Sequence, residues 1–565
     1  MSDPARVSAE RLMDDVRAIT RWTRLAGSAE EMEAARYVEA RLREAGCEAR
    51  IVLHDAYISL PGRAALTVVA PARLELPCIT HSSGVPTGPE GVTGNVVYAG
   101  KGSPAELIAA GVSGRIAFVD EKNSPERAFY ASRAGAVGVV FTGNAHVQDG
   151  GCSPVWGSPA ESTASGLPTA HLLSVAKPDG DALRRLCQAA PVRVHLLAEV
   201  HTGWVKTPIV FGDVSPGHSD ADAAAYVLFS GHLDSWYLGA MDNAAANAVM
   251  IELARLAAAR RADLRRGLRL AFWSGHSHGR YSSSAWYADT AWFDLAEHCV
   301  IHVNIDVPGG VGADFLVTTA MAEAAGVAQW TMAQAAGKPV RIDRMRRTSD
   351  ESFWGVGVPS MFGEVSRQPD GTFGWWIHTS EDTVDKLDSS RLVRDAQIYE
   401  RALGRFLTDP VVPLDYAATA ADIRGTLEDL AARLSGLFDL SAVVAAAREL
   451  DGLCARVNRA GLDARESPAR ARAVNLCLRD LGRILIPPTY QSAGRFGQDP
   501  AMGSTYLPGL SAADRLASLP EDSDAAKRLV TDLVRGRNTL LYALRQACER
   551  AERFLAAEVD SAAAS

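Results

Sequence analysis

The chain has 565 residues, of which 47% are hydrophobic and 22% charged, and a formal net charge of -9. It is too long for one hydrophobic core, and its composition is that of folded, multidomain proteins. The acidic balance and the lack of a long basic run argue against nucleic acid as a partner. No apolar run reaches about 18 residues and the first residues lack a signal-peptide core, so we expect no membrane association and a cytoplasmic location.

Four regions follow one another along the chain. Residues 1–61 carry two amphipathic helical patterns, which predict helices that pack on a larger domain. Residues 62–204 contain short apolar runs broken by glycine and proline, typical of a β-rich insert with one or two helices. Residues 205–410 alternate apolar strands with helices, which indicates an α/β sheet covered on both faces. Residues 411–565 are almost wholly helical, with breaks expected at 410–413 and from 486 to 508.

Polar clusters follow the predicted strands of 205–410, at the sheet edge where open α/β folds bind ligands. They occupy residues 230–235, 239–243, 304–309 and 376–383, and each contains a histidine or an aspartate. Imidazole and carboxylate together suit zinc, and a carboxylate that bridges two ions would let both activate one water. Asp234, two residues after His232, can fix the tautomer of that imidazole. Singly, a histidine at a strand end is more often structural, and an aspartate before a helix is more often its cap.

The order and spacing of these clusters resemble the co-catalytic zinc peptidases that include glutamate carboxypeptidase and the bacterial and vacuolar aminopeptidases. Gly-His-Leu-Asp-Ser-Trp from 231, Met-Asp-Asn from 241, Asn-Ile-Asp from 304 and Ile-His-Thr from 377 carry the resemblance. It implies a mixed sheet with flanking helices, a protease-associated insert over 62–204, a helical dimerisation domain over 411–565, and hence a homodimer. By position, it implies His232 and Asp306 on one metal, His378 on the other, and Asp242 as the bridge.

The catalytic loop departs from the family. The family carries two adjacent glutamates there, the first a general base and the second a metal ligand, whereas this chain has His276 and Ser277. Three interpretations stay open: His276 or His278 is a ligand, His276 is a neutral base beside one retained metal, or catalysis is lost and the chain is a metal-containing scaffold. We expect His276 to enter the site and a turn at Gly279 to carry His278 away.

The function implied by the resemblance is that of a metal-dependent hydrolase. We expect it to cleave an amide or peptide bond, in a small acyl-amino-acid-like molecule or a short peptide, with His276 and Asp234 as catalytic residues. One or two zinc ions, or another divalent transition metal, are expected on the metal-binding set, which is His232, Asp242, Asp306, His378 and His276.

Four side chains are predicted to bind substrate. Arg280 and Tyr281 replace family residues that lie close to the metals. Arg346 and Arg347 belong to a basic cluster whose guanidinium groups can clamp a carboxylate with paired hydrogen bonds. The alternative for this cluster is a solvated basic face.

Overall fold

Two helices open the chain in the computed structural model, which describes residues 6–218, 222 and 224–563. They are α1 (Ala9–Ile19) and α2 (Ala29–Glu44), in the places that the sequence predicts. The hydroxyl of Ser28 accepts a hydrogen bond from the backbone of Glu31 and so caps α2. The buried side of α1 contributes Leu12 and Val16 to the main core.

The next elements belong to the first half of a large sheet. The strands are β1 (Glu48–Ala70), β2 (Leu74–Leu76), β3 (Cys78–Thr80), β4 (Val92–Tyr98), β5 (Ile116–Val119), β6 (Gly138–Phe141), β7 (His171–Val175) and β8 (Val192–Val214). The helices among them are α3 (Pro104–Ala110), α4 (Pro125–Arg133) and α5 (Lys177–Ala189). β1 and β8 each have 23 residues and pair with each other, so the predicted boundaries at 61/62 and 204/205 fall inside continuous strands.

The second half of the sheet alternates strands with helices. The strands are β9 (Tyr226–His232), β10 (Gly267–Trp273), β11 (Cys299–Ile305), β12 (Phe315–Leu316), β13 (Thr318–Ala320), β14 (Ile342–Arg344), β15 (Ser360–Gly363) and β16 (Ser366–Arg367). The helices are α6 (Ala245–Ala259), α7 (Ser282–Thr290), α8 (Trp292–His298), α9 (Ala325–Ala336) and α10 (Ser389–Thr408).

Within the described ranges, fourteen strands form one sheet in the order β14-β13-β15-β11-β9-β10-β8-β4-β5-β6-β7-β3, with β1 beside β8 and β2 beside β1. β10, β9, β11 and β15 run parallel, and β8 runs antiparallel to β10. The predicted mixed α/β fold is therefore confirmed. Alternate residues of β9 face opposite layers: Val227 and Phe229 pack with α1, α6 and α10, whereas Tyr226 and Leu228 pack with α7 and α8.

The carboxyl-terminal region consists of α11 (Tyr416–Arg433), α12 (Ser441–Asp463), α13 (Pro468–Tyr490) and α14 (Asp524–Ala563). The break predicted from 486 to 508 begins later, at residue 491, because α13 continues through Pro487 and Pro488 to Tyr490. Both prolines stand in its last turn, where they interrupt only the final backbone bonds. Buried residues of these helices belong to the same hydrophobic cluster as α1, α6 and α10. No helix in the described part of the chain is long and apolar enough to cross a membrane.

Candidate metal centre

His232, Asp242 and Asp306 meet at the carboxyl edge of the parallel strands. His232 is the last residue of β9, Asp306 directly follows β11, and Asp242 precedes α6. Parallel strands end at one edge, so residues that follow different strands become neighbours in space. The structure thus brings together three residues that the sequence placed on the metal.

The distances among these donors fit a metal ion. Nε2 of His232 lies 2.9 Å from Oδ1 of Asp242 and 3.6 Å from Oδ1 of Asp306. Ligand atoms on a tetrahedral zinc ion are about 3.3 Å apart, given metal–ligand bonds of about 2.0 Å. Oδ1 of Asp306 is buried and has no hydrogen-bond partner among the described residues. A buried carboxylate oxygen that has no hydrogen bond among these residues and faces an imidazole nitrogen is a donor that a cation could use.

His378 completes the other side of Asp242. Its Nε2 lies 2.9 Å from Oδ2 of Asp242, so the two oxygens of this carboxylate face two different histidines. Nδ1 of His378 bonds to the backbone oxygen of Asp149, which lies in the loop between β6 and β7. The carboxylate of Asp149 accepts a hydrogen bond from the hydroxyl of Tyr237 at 2.8 Å. The insert therefore orients one of the metal-binding residues, a contact that the sequence did not predict.

The electrostatics of this edge favour ionised carboxylates. Burial raises the pKa of Asp242, but hydrogen bonds from His232 and His378 outweigh burial and hold that pKa well below its usual value. Burial lowers the pKa of His232, yet contacts with Asp234, Asp242 and Asp306 raise it well above the usual value. Both shifts have the same cause, which is the close contact of buried carboxylates with imidazoles, and a cation bound here would have to replace the proton on His232.

Two residues without an assigned role hold the bridging aspartate in place. Arg24 is fully buried, and its guanidinium donates to backbone oxygens of the loop that links His232 to Asp242, namely those of Leu233, Leu238 and Gly239. The carboxylate of Asp382 accepts the backbone N–H groups of Met241 and Asp242 at 2.9 and 3.0 Å. Burial raises the pKa of Asp382 to about 6. Asp382 lies in a cluster that the sequence singled out, whereas Arg24 carries no local signal.

His276 lies against His232 at the centre of the site. A ring nitrogen of His276 is within 4.8 Å of ligand atoms of His232 and Asp306. The two imidazole rings are stacked, with centroids 4.0 Å apart and planes 14° from parallel. Lone pairs on imidazole nitrogens lie in the ring plane, so two stacked rings cannot both direct them at one ion. This geometry favours a base over a ligand of the ion that His232 would bind.

Asp234 contacts both of these histidines. Its backbone oxygen lies 2.8 Å from Nδ1 of His232, and its Oδ1 accepts the backbone N–H of His276 at 3.2 Å. Nδ1 of His232 therefore carries the proton, which leaves Nε2 for a metal. Asp234 acts as an orienting group, as the sequence spacing indicated, and nothing brings it to the reacting atoms.

The expectation that a turn carries His278 away is wrong. A turn does occupy residues 277–280, but the ring of His278 is directed inwards and is 2% exposed. It packs on Trp236 with ring centroids 4.1 Å apart, and its Nδ1 lies 3.7 Å from the carboxylate of Asp234. Neither ring nitrogen has a hydrogen-bond partner within the described residues. His278 thus packs against residues that surround the site and lies outside the group of metal donors.

The predicted substrate-binding residues have very different surroundings. The guanidinium of Arg347 is buried, stacks 3.7 Å over Trp156 and donates to the backbone oxygens of Glu351 and Asp499. The hydrogen-bonding groups of Arg347 are thus engaged inside the protein, which argues against its predicted role as a substrate clamp. The hydroxyl of Tyr281 donates to the backbone oxygen of Thr348, and its ring is buried. Arg346 is exposed.

Arg280 differs from the other three. It is half-buried in the catalytic loop, with its guanidinium 4.8 Å over the ring of Tyr281. Its buried Nε has no hydrogen-bond partner among the described residues, and no carboxylate in the described ranges lies within ion-pair distance of it. Gly151 of the insert lies close to it. Arg280 thus remains available to a ligand.

Fold and donor set together define an α/β domain of the aminopeptidase-like fold with a candidate metal site. Residues 210–402 match the model of peptidase family M28. The chain is 24% identical to the probable glutamate carboxypeptidase VP8 of Zea mays in an alignment of 535 residues that covers 78% of this chain and 73% of that relative.

Two solved structures show the same fold. An aminopeptidase from Aneurinibacillus sp. strain AM-1 is 21% identical, with a TM-score of 0.57 over 71% of this chain and 94% of that chain. BSAP, a zinc aminopeptidase from Bacillus subtilis, is 19% identical, with a TM-score of 0.54 over 71% of this chain and 96% of that chain. The resemblance drawn from the sequence motifs is thereby confirmed.

Proposed function

We propose that this chain is a zinc-dependent hydrolase of an amide or peptide bond in a small molecule or short peptide. His232, Asp242 and Asp306 would hold one zinc ion. The observation that carries the proposal is the unsatisfied Oδ1 of Asp306, buried 3.6 Å from Nε2 of His232. A second ion, bound by His378, would lack one ligand, because Ser277 stands where the family has its second glutamate. We therefore propose a single tightly held ion.

Three residues of the chain would have separate roles in the reaction. Zinc, when bound, supplies a Lewis acid that activates water and polarises a carbonyl. His276 accepts the proton of the attacking water and returns it to the leaving nitrogen. Asp234 keeps the donor nitrogen of His232 free by holding the proton on the other nitrogen. Arg280 binds a carboxylate of the substrate, because its guanidinium is available beside the catalytic loop.

Metal analysis of protein purified without chelator tests the metal part of this proposal. We expect about one equivalent of zinc in the wild type and less than about 0.2 in His232→Ala and Asp306→Asn. His201→Ala is the matched control, because His201 is exposed on β8, and it should keep the full content. A wild type with less than about 0.2 equivalents of any transition metal would refute the proposal, and about two equivalents would refute the single ion.

A panel of aminoacyl amides, N-acyl amino acids and short peptides tests the reaction. Hydrolysis should disappear with a chelator and return with zinc. The second possibility is a metal-containing scaffold, which the loss of both family glutamates at 276 and 277 favours. Full zinc content without turnover of any member of the panel would support the scaffold and contradict the hydrolase.

A further inference from the structure

Asp350 is a buried carboxylate in the loop between β14 and β15, and it lies outside the set of metal donors. It is 1% exposed, with Oδ2 2.8 Å from Nδ1 of His276 and Oδ1 accepting the hydroxyl of Ser284 at 2.8 Å. Within the described ranges, His276 is the only side chain at ion-pair distance from it. A buried carboxylate is costly unless it is paired. The contacts with His276 and Ser284 therefore stabilise the buried carboxylate of Asp350.

The contact with Asp350 selects one tautomer of His276. A carboxylate only accepts hydrogen bonds, so Nδ1 must carry the proton and Nε2 keeps its lone pair. The ring has little freedom to turn, because it stacks on His232 and meets the edge of Tyr281 at 4.9 Å. The backbone of His276 is also held, by Oδ1 of Asp234.

A directed chain of hydrogen bonds ends at Asp350. The indole N–H of Trp156 donates to the hydroxyl of Ser352 at 2.8 Å. The hydroxyls of Ser352 and Ser284 are 2.8 Å apart, and Ser284 donates onwards to Asp350. Each group in this series donates a hydrogen bond to the next one, and hydrogen bonds in such a series strengthen one another. Trp156 lies in the insert, so the insert contributes to the orientation of His276 as well as to that of His378.

We propose that Asp350 is a positioning residue, which holds His276 with the proton on Nδ1 and leaves Nε2 for proton transfer. The catalytic part rests on the proposed function, whereas the orientation rests on the contacts alone. The water oxygen bonds to the acyl carbon as its proton moves to Nε2. The carboxylate of Asp350 then stabilises the imidazolium. The proton passes to the leaving nitrogen as the carbon–nitrogen bond breaks.

The test compares Asp350→Asn with His276→Ala and with Asp289→Asn, a matched control on the exposed side of α7. We expect Asp350→Asn and His276→Ala to lower kcat at least about 100-fold, with KM changed less than about threefold. Zinc content should stay at the wild-type level in all three variants. Nitrogen NMR of His276 should report the Nδ1–H tautomer in the wild type and a shift towards Nε2–H in Asp350→Asn.

The outcomes separate the two proposals. An unchanged tautomer in Asp350→Asn, a kcat within about threefold of wild type, or a loss of zinc in that variant would overturn the positioning role. If the wild type hydrolyses nothing, the proposed function fails, and the tautomer measurement alone decides the role of Asp350. If His276→Ala loses its zinc, His276 is a ligand and its assignment as base is overturned.

Discussion

Arg280 and Arg347 carry the same guanidinium group in opposite surroundings. Arg347 donates to backbone oxygens on two loops and stacks on Trp156, so removing it would leave buried acceptors unpaired. The buried Nε of Arg280 has no hydrogen-bond partner among the residues that the structure describes. An unpaired buried donor costs about 1–3 kcal/mol, and a bound carboxylate would remove that cost. Among the predicted arginines, the energetics therefore favour Arg280 as the one that binds substrate.

Arg280→Gln should accordingly weaken the binding of carboxylate-bearing substrates. We expect KM for such a substrate to rise about 10-fold or more, since charge-assisted hydrogen bonds contribute about 1.5–3 kcal/mol. The amidated form of the same substrate should show little change. Steady-state kinetics with both forms gives the measurement, and Arg346→Gln is the control because Arg346 is exposed. Equal losses for the two substrate forms would argue against carboxylate binding.

The sequence predicted the candidate metal donors better than the residues that orient the site histidines. His232, Asp242 and Asp306 could be predicted because each follows a strand or opens a helix of a periodic α/β pattern. Asp350 contacts His276 although the two are 74 residues apart in the sequence, and Asp149 contacts His378 although they are 229 residues apart. Such contacts depend on how loops pack in three dimensions, and no local spacing encodes them.

Glu323 lies just before α9, where the α/β domain meets α11. Its Oε2 accepts the hydroxyl of Thr419 at 2.7 Å, and its buried Oε1 has no hydrogen-bond partner among the described residues. Burial raises the pKa of Glu323 from its usual 4.5 to about 6. The folded protein thus prefers the neutral acid. The stabilisation from this preference is complete below pH 4.5 and is lost as the pH rises through about 6.

Glu323→Gln should remove this dependence on pH, because the amide is neutral at every pH. At pH 8 we expect the variant to exceed the wild type in free energy of unfolding by on the order of 2 kcal/mol, and the difference should vanish below pH 4.5. Urea unfolding at both pH values gives the measurement, with the exposed Glu297→Gln as the control. A difference that is equal at both pH values would contradict the assignment.

The apolar stripes of the carboxyl-terminal helices are buried within the chain itself. Leu427 of α11, Leu450 of α12 and Leu544 of α14 are fully buried and belong to the main core. A free-standing helical appendage would have needed a partner to cover such residues, and the periodicity of the sequence could not reveal that this chain covers them. Homodimer formation therefore rests on the resemblance to the family.

We still predict a homodimer, with the two-fold axis near the carboxyl-terminal helices. Leu462, Tyr542 and Val559 on these helices are 61%, 66% and 65% exposed and belong to the apolar surface that remains for a second copy. Sedimentation at micromolar concentration should show a species of twice 60.2 kDa. A single 60.2 kDa species under those conditions would contradict the dimer.

The antiparallel ribbon of β1 and β8 passes from the parallel strands into the insert, paired from Glu48 and Asp213 to Ala70 and Arg193. Its 23 residues span about 75 Å at about 3.3 Å per residue. Apart from register shifts between Pro61 and Ala64 and between Val68 and Ala70, the pairing is continuous, so two hydrogen-bonded strands rather than an irregular linker join the insert to the parallel strands. Asp149 and Trp156 belong to this insert, and through their hydrogen bonds the ribbon connects it to the residues that orient His378 and His276. A change that loosens the pairing of β1 with β8 should therefore disturb the positions of both histidines together.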